Sequence, residues 1–138
     1  MKRDDFQRLA EMRLNEARAL LNNGFAAGAY YLAGYAVECA LKAVISKSTQ
    51  RYDFPDKARV LQSYEHDPVK LIRVARLESL LEKEKEQNIL FNDFWNTVKD
   101  WSEESRYRND IDEKKSRAML EAVSDPKAGV LRWLKTHW

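Results

Sequence analysis

The side chains able to do chemistry in this sequence are few and fall in three places. Arg106-Tyr107-Arg108-Asn109 sets an aromatic ring between two guanidinium groups. Arginine grips phosphate bidentately and tyrosine offers a face on which a base stacks, so this stretch is a candidate phosphate and base contact. His66 and His137 are the only imidazoles, the one side chain that ordinarily gains or loses a proton near neutrality. Glu38 is the third place. It is the first charge after Ala19 to Val37, a run with no charged residue at all. A carboxylate in such surroundings is rarely left without a partner.

Each of these has a plainer reading. From Lys99 to Arg117 six basic and six acidic residues alternate, the pattern of a solvated surface. His66 and Asp67 read as the opening of a helix, with Asp67 as its N-cap and Pro68 in the first turn. For Glu38 the simplest partner is an arginine from another helix, with Arg106 the candidate. Alternatively Tyr31, Tyr35, Glu38 and Arg106 line a polar site. Lys42 follows Glu38 by four residues in the favourable order. Two distant histidines and one cysteine, Cys39, give no metal-ligand spacing, and no cofactor motif is visible.

The elements that must position these groups are helices. Phe6, Leu9, Ala10, Leu14, Ala17, Leu20 and Leu21 recur at three- and four-residue steps, predicting a helix from Asp4 to Leu21 stopped by Asn22-Asn23-Gly24. Phe25 to Lys47 is apolar or small almost all round and reads as the central, fully buried helix. Ser48 to Glu65, with Pro55, reads as a long loop in which Lys57 to Leu61 makes a helical turn. A third helix is expected from Asp67 through the charged run Glu82–Glu86. A fourth, aromatic one is expected from Ile89 to Trp101, with Phe91, Phe94 and Trp95 in the core or at a dimer interface. Asp112 caps a last helix that Ser124-Asp125-Pro126 breaks before a final piece around Val130–Leu134. The sum is an all-α, up-and-down bundle of four to five helices forming one domain over residues 1–138.

Composition fits. Four glycines and three prolines are too few for the turns of an all-β chain of 138 residues, and 33% charged residues suit a globular surface. Lys plus Arg at 24 against Asp plus Glu at 22 leaves +2, which argues against a generally basic nucleic-acid binder but not against one local site. Ala19 to Val37 contains Asn22-Asn23-Gly24 and is not read as a membrane span. With no signal peptide at Met1-Lys2-Arg3-Asp4-Asp5, the expected location is the cytoplasm.

Ala29-Tyr30-Tyr31-Leu32-Ala33-Gly34-Tyr35-Ala36-Val37-Glu38-Cys39-Ala40-Leu41-Lys42-Ala43 resembles the second-helix signature of HEPN domains. His66-Asp67 with Leu71 is similar to that family's His-Asp element, and Trp101 with Arg106-Tyr107 to its Trp…Arg-Tyr element. The order and approximate spacing agree over residues 5–135. The resemblance implies a helical bundle that usually forms a homodimer. It also implies a toxin–antitoxin-like pairing with a minimal nucleotidyltransferase. Many members are ribonucleases using an arginine, four to six residues, then a histidine. In that chemistry the imidazole takes the 2′-hydroxyl proton and the guanidinium steadies the phosphorane.

The chain departs from that motif. Five to seven residues after Arg108-Asn109 stand Glu113, Lys114 and Lys115, and from Arg106 the same steps reach Ile111, Asp112 and Glu113. Arg132 to His137 and Arg59 to His66 match in length, but Trp133 and Val60 follow those arginines where the family usually has a polar residue. The expectation is therefore a degenerate, non-catalytic member binding RNA or a nucleotide. Its expected site is Arg106, Tyr107, Arg108, Asn109, Glu38, Tyr31, Tyr35, His66 and Asp67. One alternative is a metal-independent endoribonuclease toxin acting through Arg106 or Arg108 with His66. The other is a dimeric scaffold without ligand.

Overall fold

Helix signals dominate the chain, and the computed structural model, which describes residues 1–51 and 64–138, contains helices and no strand among those residues. They are α1 (Arg3–Asn22), α2 (Ala26–Arg51), α3 (Pro68–Val74), α4 (Glu78–Gln87), α5 (Ile89–Val98), a 3-10 segment (Glu103–Tyr107), α6 (Glu113–Ser124) and α7 (Val130–Lys135). The amphipathic face of α1 buries Ala10, Leu14, Ala17 and Leu21. It lies along α2, which also packs on α3, α6, α7 and the 3-10 segment. Because α2 has neighbours on so many sides, Ala33, Ala36, Val37, Ala40 and Leu41 are fully enclosed. The small side chains let the surrounding backbones come close. No helix among the described residues is long and apolar enough to cross a membrane.

The bundle is the expected one, with differences at the element ends. Helix α2 runs on to Arg51, past the expected stop near Lys47, because no proline or glycine interrupts Ser48–Arg51. Lys57–Leu61, Pro55 and Arg59 lie outside the described residues. The single helix expected from Asp67 to Glu86 is two. Helix α3 closes when Arg76 N–H reaches Arg73 O at 3.0 Å and Leu77 N–H reaches Ile72 O at 3.0 Å. This is the Schellman pattern, with buried Ile72 and Leu77 as its hydrophobic pair. Its left-handed position is held by Arg76, at φ 60°, where a glycine would have announced the stop. The same closure ends α1, with Phe25 N–H on Leu20 O at 2.8 Å and Gly24 in the left-handed position at φ 85°.

Helix α5 ends at Val98 rather than Trp101. Trp101 N–H turns back to Val98 O at 3.0 Å, and the indole leaves the helix to pack on α2. Phe91, Trp95 and Val98 go into the core. Asp112 caps α6 as expected, its Oδ1 accepting from Lys115 N–H at 2.7 Å, and Asp125-Pro126 separates α6 from α7.

The two Schellman closures make a paired prediction. Arg76→Gly should raise stability by about 1 kcal/mol and Gly24→Ala should lower it by a similar amount, since an L side chain in the left-handed region costs about 1–2 kcal/mol. Urea denaturation midpoints of the two variants check both signs.

Candidate functional site

Glu38 sits on α2 at 1% exposure, held inside by the apolar run that precedes it. Its two oxygens are separately occupied. Oε2 accepts from Lys42 Nζ at 3.2 Å, one turn along the same helix. Oε1 lies 2.9 Å from His66 Nδ1. The expected Glu38–Arg106 pair is not formed. Arg106, on the 3-10 segment, pairs with Glu103 instead, whereas the lead-in to α3 delivers His66 directly over Glu38.

That lead-in is fixed locally. Asp67 Oδ1 accepts from Val69 N–H at 2.8 Å and Lys70 N–H at 3.4 Å, as an N-cap should. Glu65 Oε1 accepts from His66 N–H at 3.0 Å and Asp67 N–H at 3.2 Å. These backbone donors, His66 first, hold the Glu65 carboxyl below the usual range. Asp67 therefore plays the structural part expected of it. His66 does more than precede a cap: its other nitrogen, Nε2, lies 2.6 Å from Glu103 Oε2.

Glu103 carries the chain of contacts onward. Its Oε1 pairs with Arg106 at 3.4 Å, an i,i+3 spacing brought together by the 3-10 turn. Arg106 lies over the ring of Tyr107, 4.8 Å from its centroid. Contacts with Tyr107 and then Tyr31 push the guanidinium further toward its charged form. Tyr107 is 76% exposed, so a large aromatic face stands in solvent. Tyr31 stacks on both Tyr35 and Trp101, with centroids 5.9 and 5.8 Å apart, and forms a half-buried aromatic backing behind the 3-10 segment. Burial is the main reason the Tyr35 phenol is pushed up.

Arg108 and Asn109 stand apart from this line. Arg108 closes a two-pronged pair on Asp110, at 2.9 and 2.7 Å, which raises its proton affinity and lowers that of Asp110. Asn109 is exposed beside it. A cleft of about 310 Å³ opens next to His66, lined by Glu65, Asp67, Lys70, Trp101, Glu103 and Glu104 among others. Four carboxylates against one lysine and the imidazole make it a poor seat for phosphate. No group of three or more His, Cys, Asp or Glu side chains among the described residues is arranged to hold a metal ion.

Thus the structure joins Glu38, His66, Arg106, Tyr107, Tyr31 and Tyr35 in one region, gives Asp67 a capping role, and leaves Arg108 and Asn109 at its edge. One member has almost no signal in the sequence: Glu103 is the link between His66 and Arg106, marked only by its three-residue spacing to Arg106. Trp101, expected at the end of the aromatic fourth helix, stands three residues beyond that helix, α5, and packs against Tyr31. Cys39 is buried, and burial pushes its thiol up to about 11. His137, at the C-terminal end of α7, is pushed down chiefly by burial and has no part in this region.

A family model described as "HEPN domain" matches residues 4–135. The search of curated proteins and the search of solved structures each gave no match.

Gly34 is where the site's backing is tightest: a Cβ there would stand 2.2 Å from Trp101 Cδ1, whereas at Gly28 it would meet only the flexible end of Leu20 at 3.2 Å. Gly34→Ala should cost about 1–3 kcal/mol by overpacking, while Gly28→Ala stays within about 1 kcal/mol of the parent because helix propensity improves. Denaturation midpoints compare them. Cys39 should resist a thiol reagent at about pH 8 until denaturant unfolds the chain, because only the thiolate reacts.

Proposed function

The chain belongs to the HEPN domain family, and on that premise we propose that it is a non-catalytic member that binds RNA or a nucleotide through Arg106 and Tyr107, with Arg108 and Asn109 at the rim. One observation carries the reading: both ring nitrogens of His66 are taken, Nδ1 by Glu38 and Nε2 by Glu103. A general base must offer a nitrogen to the proton it removes. A ring bridged on both sides by carboxylates has none to offer, and Glu103 also occupies the guanidinium of Arg106. What faces solvent is an aromatic platform with a cation on it, the arrangement that stacks a base and meets its phosphate.

The family premise extends the proposal to a homodimer that works beside a minimal nucleotidyltransferase in a toxin–antitoxin-like pair in the cytoplasm. The second reading is a metal-independent endoribonuclease. In its favour, His66 and Arg106 meet through a shared Glu103, so a ligand able to displace that carboxylate would find both. Incubation with RNA without divalent metal separates the readings. No cleavage is expected. Cleavage abolished by both His66→Ala and Arg106→Ala would establish the ribonuclease instead. In fluorescence anisotropy with a short oligoribonucleotide, Tyr107→Ala should weaken binding about tenfold, loss of one stacked base costing on the order of 1–3 kcal/mol. Absence of binding by the parent protein, with no thermal shift on adding nucleotide, would leave a ligand-free scaffold.

A further inference from the structure

We propose that His66 is a positioning residue, a proton-dependent clamp that docks the 3-10 segment on α2 and so sets the Arg106–Tyr107 platform; the platform's ligand rests on the reading above. The geometry is a bridge across three elements. Glu38 comes from α2, His66 from the lead-in to α3, and Glu103 from the 3-10 segment. Apart from this bridge, the 3-10 segment packs chiefly against α2. Its last turn carries the exposed platform.

The bridge works in only one protonation state. Ionised carboxylates accept and do not donate. Separations of 2.9 and 2.6 Å between nitrogen and oxygen each need a proton between them. The bridge as a whole must therefore hold two protons, one in each contact. When rising pH removes one proton, one contact becomes a lone pair facing a carboxylate. Glu38 is enclosed and keeps Lys42, so the arm that lets go is Glu103, which is 27% exposed and whose other partner, Arg106, is itself on the surface. Arg106 follows, since Glu103 is its ion-pair partner. His66 is itself 44% exposed, so solvent protons reach it without unfolding.

The charged groups facing the ring come from each packed element. They are Glu38 and Lys42 on α2, Glu65, Asp67 and Lys70 around the start of α3, and Glu103, Glu104 and Arg106 on the 3-10 segment. Among them His66 is the side chain type that ordinarily changes charge within the neutral range. The carboxyl of Glu65 is already held on the acid side by its backbone donors.

Two readouts on the full chain test this between about pH 5 and about pH 9, the span over which histidine ordinarily titrates. The first needs no ligand: amide chemical shifts and exchange rates of Glu104, Arg106 and Tyr107 by NMR. They should change with pH in step with the His66 ring protons, and exchange should quicken as pH rises beyond its intrinsic increase. In His66→Gln, which keeps a polar side chain of similar reach, this response should vanish. In His137→Gln it should persist. The second is oligoribonucleotide affinity, expected to weaken about fivefold from the acid to the alkaline end in the parent protein and to be flat in His66→Gln and Glu103→Gln. A 3-10 segment whose amides ignore the His66 titration overturns the clamp, even if RNA binds. Amides that follow it while no RNA binds at any pH uphold the clamp and overturn the binding function. A pH response surviving in His66→Gln overturns the clamp as well. Should that variant fail to fold, Glu103→Gln, on the surface segment, carries the same test.

Discussion

The structure turns on one carboxylate placed in an apolar helix. Glu38 is enclosed by the same packing that makes α2 the centre of the bundle, and a carboxyl there costs stability unless its oxygens find partners. Lys42 matches it from within α2 and covers half the need. The other half must come from outside the helix. His66 supplies it, and the path of the chain into α3 is organised around that delivery: Asp67 caps the helix, and Glu65 ties down the His66 and Asp67 amides.

From this buried pair the influence runs outward by short steps. His66 cannot bond Glu38 with one nitrogen without presenting the other, and Glu103 meets it. That fixes the 3-10 segment, and the segment fixes Arg106 and Tyr107. Trp101, turned out of α5 onto Gly34, supports the same segment from behind with Tyr31. A group buried for structural reasons thereby governs an exposed surface some elements away. The bridge also brings His66 and Arg106 to one shared carboxylate, that of Glu103. Both are engaged with carboxylates, and the neighbouring cleft carries more negative than positive charge.

Much of the fold was legible because helix periodicity and caps are local. The stripe on α1, the all-round apolar α2, Asp67 and Asp112 as caps and the stop at Asn22-Asn23-Gly24 all stand in the structure. The stop at Arg76 was not legible. Its geometry is the one Gly24 makes, but an arginine carries no signal for the left-handed conformation, and the buried Ile72–Leu77 pair that imposes it is a tertiary choice. Trp101 was misplaced for a similar reason. Its spacing continues the stripe of α5, and only the absence of a side chain at Gly34, nearly seventy residues earlier in the chain, gives the indole somewhere better to go.

The sequence by itself determined that the protein is a helical bundle with one carboxylate out of place on its central helix, and which few side chains could bind or move a proton. Those follow from residue type and short-range spacing, which act before the chain is packed. Only the tertiary structure decided who meets whom. Glu38 found His66 instead of Arg106, and Glu103, on a polar stretch, became the link between His66 and Arg106. A buried charge selects its partner by which backbone passes within about 3 Å of it, and that is a property of the packed chain, with no trace in the order of its residues.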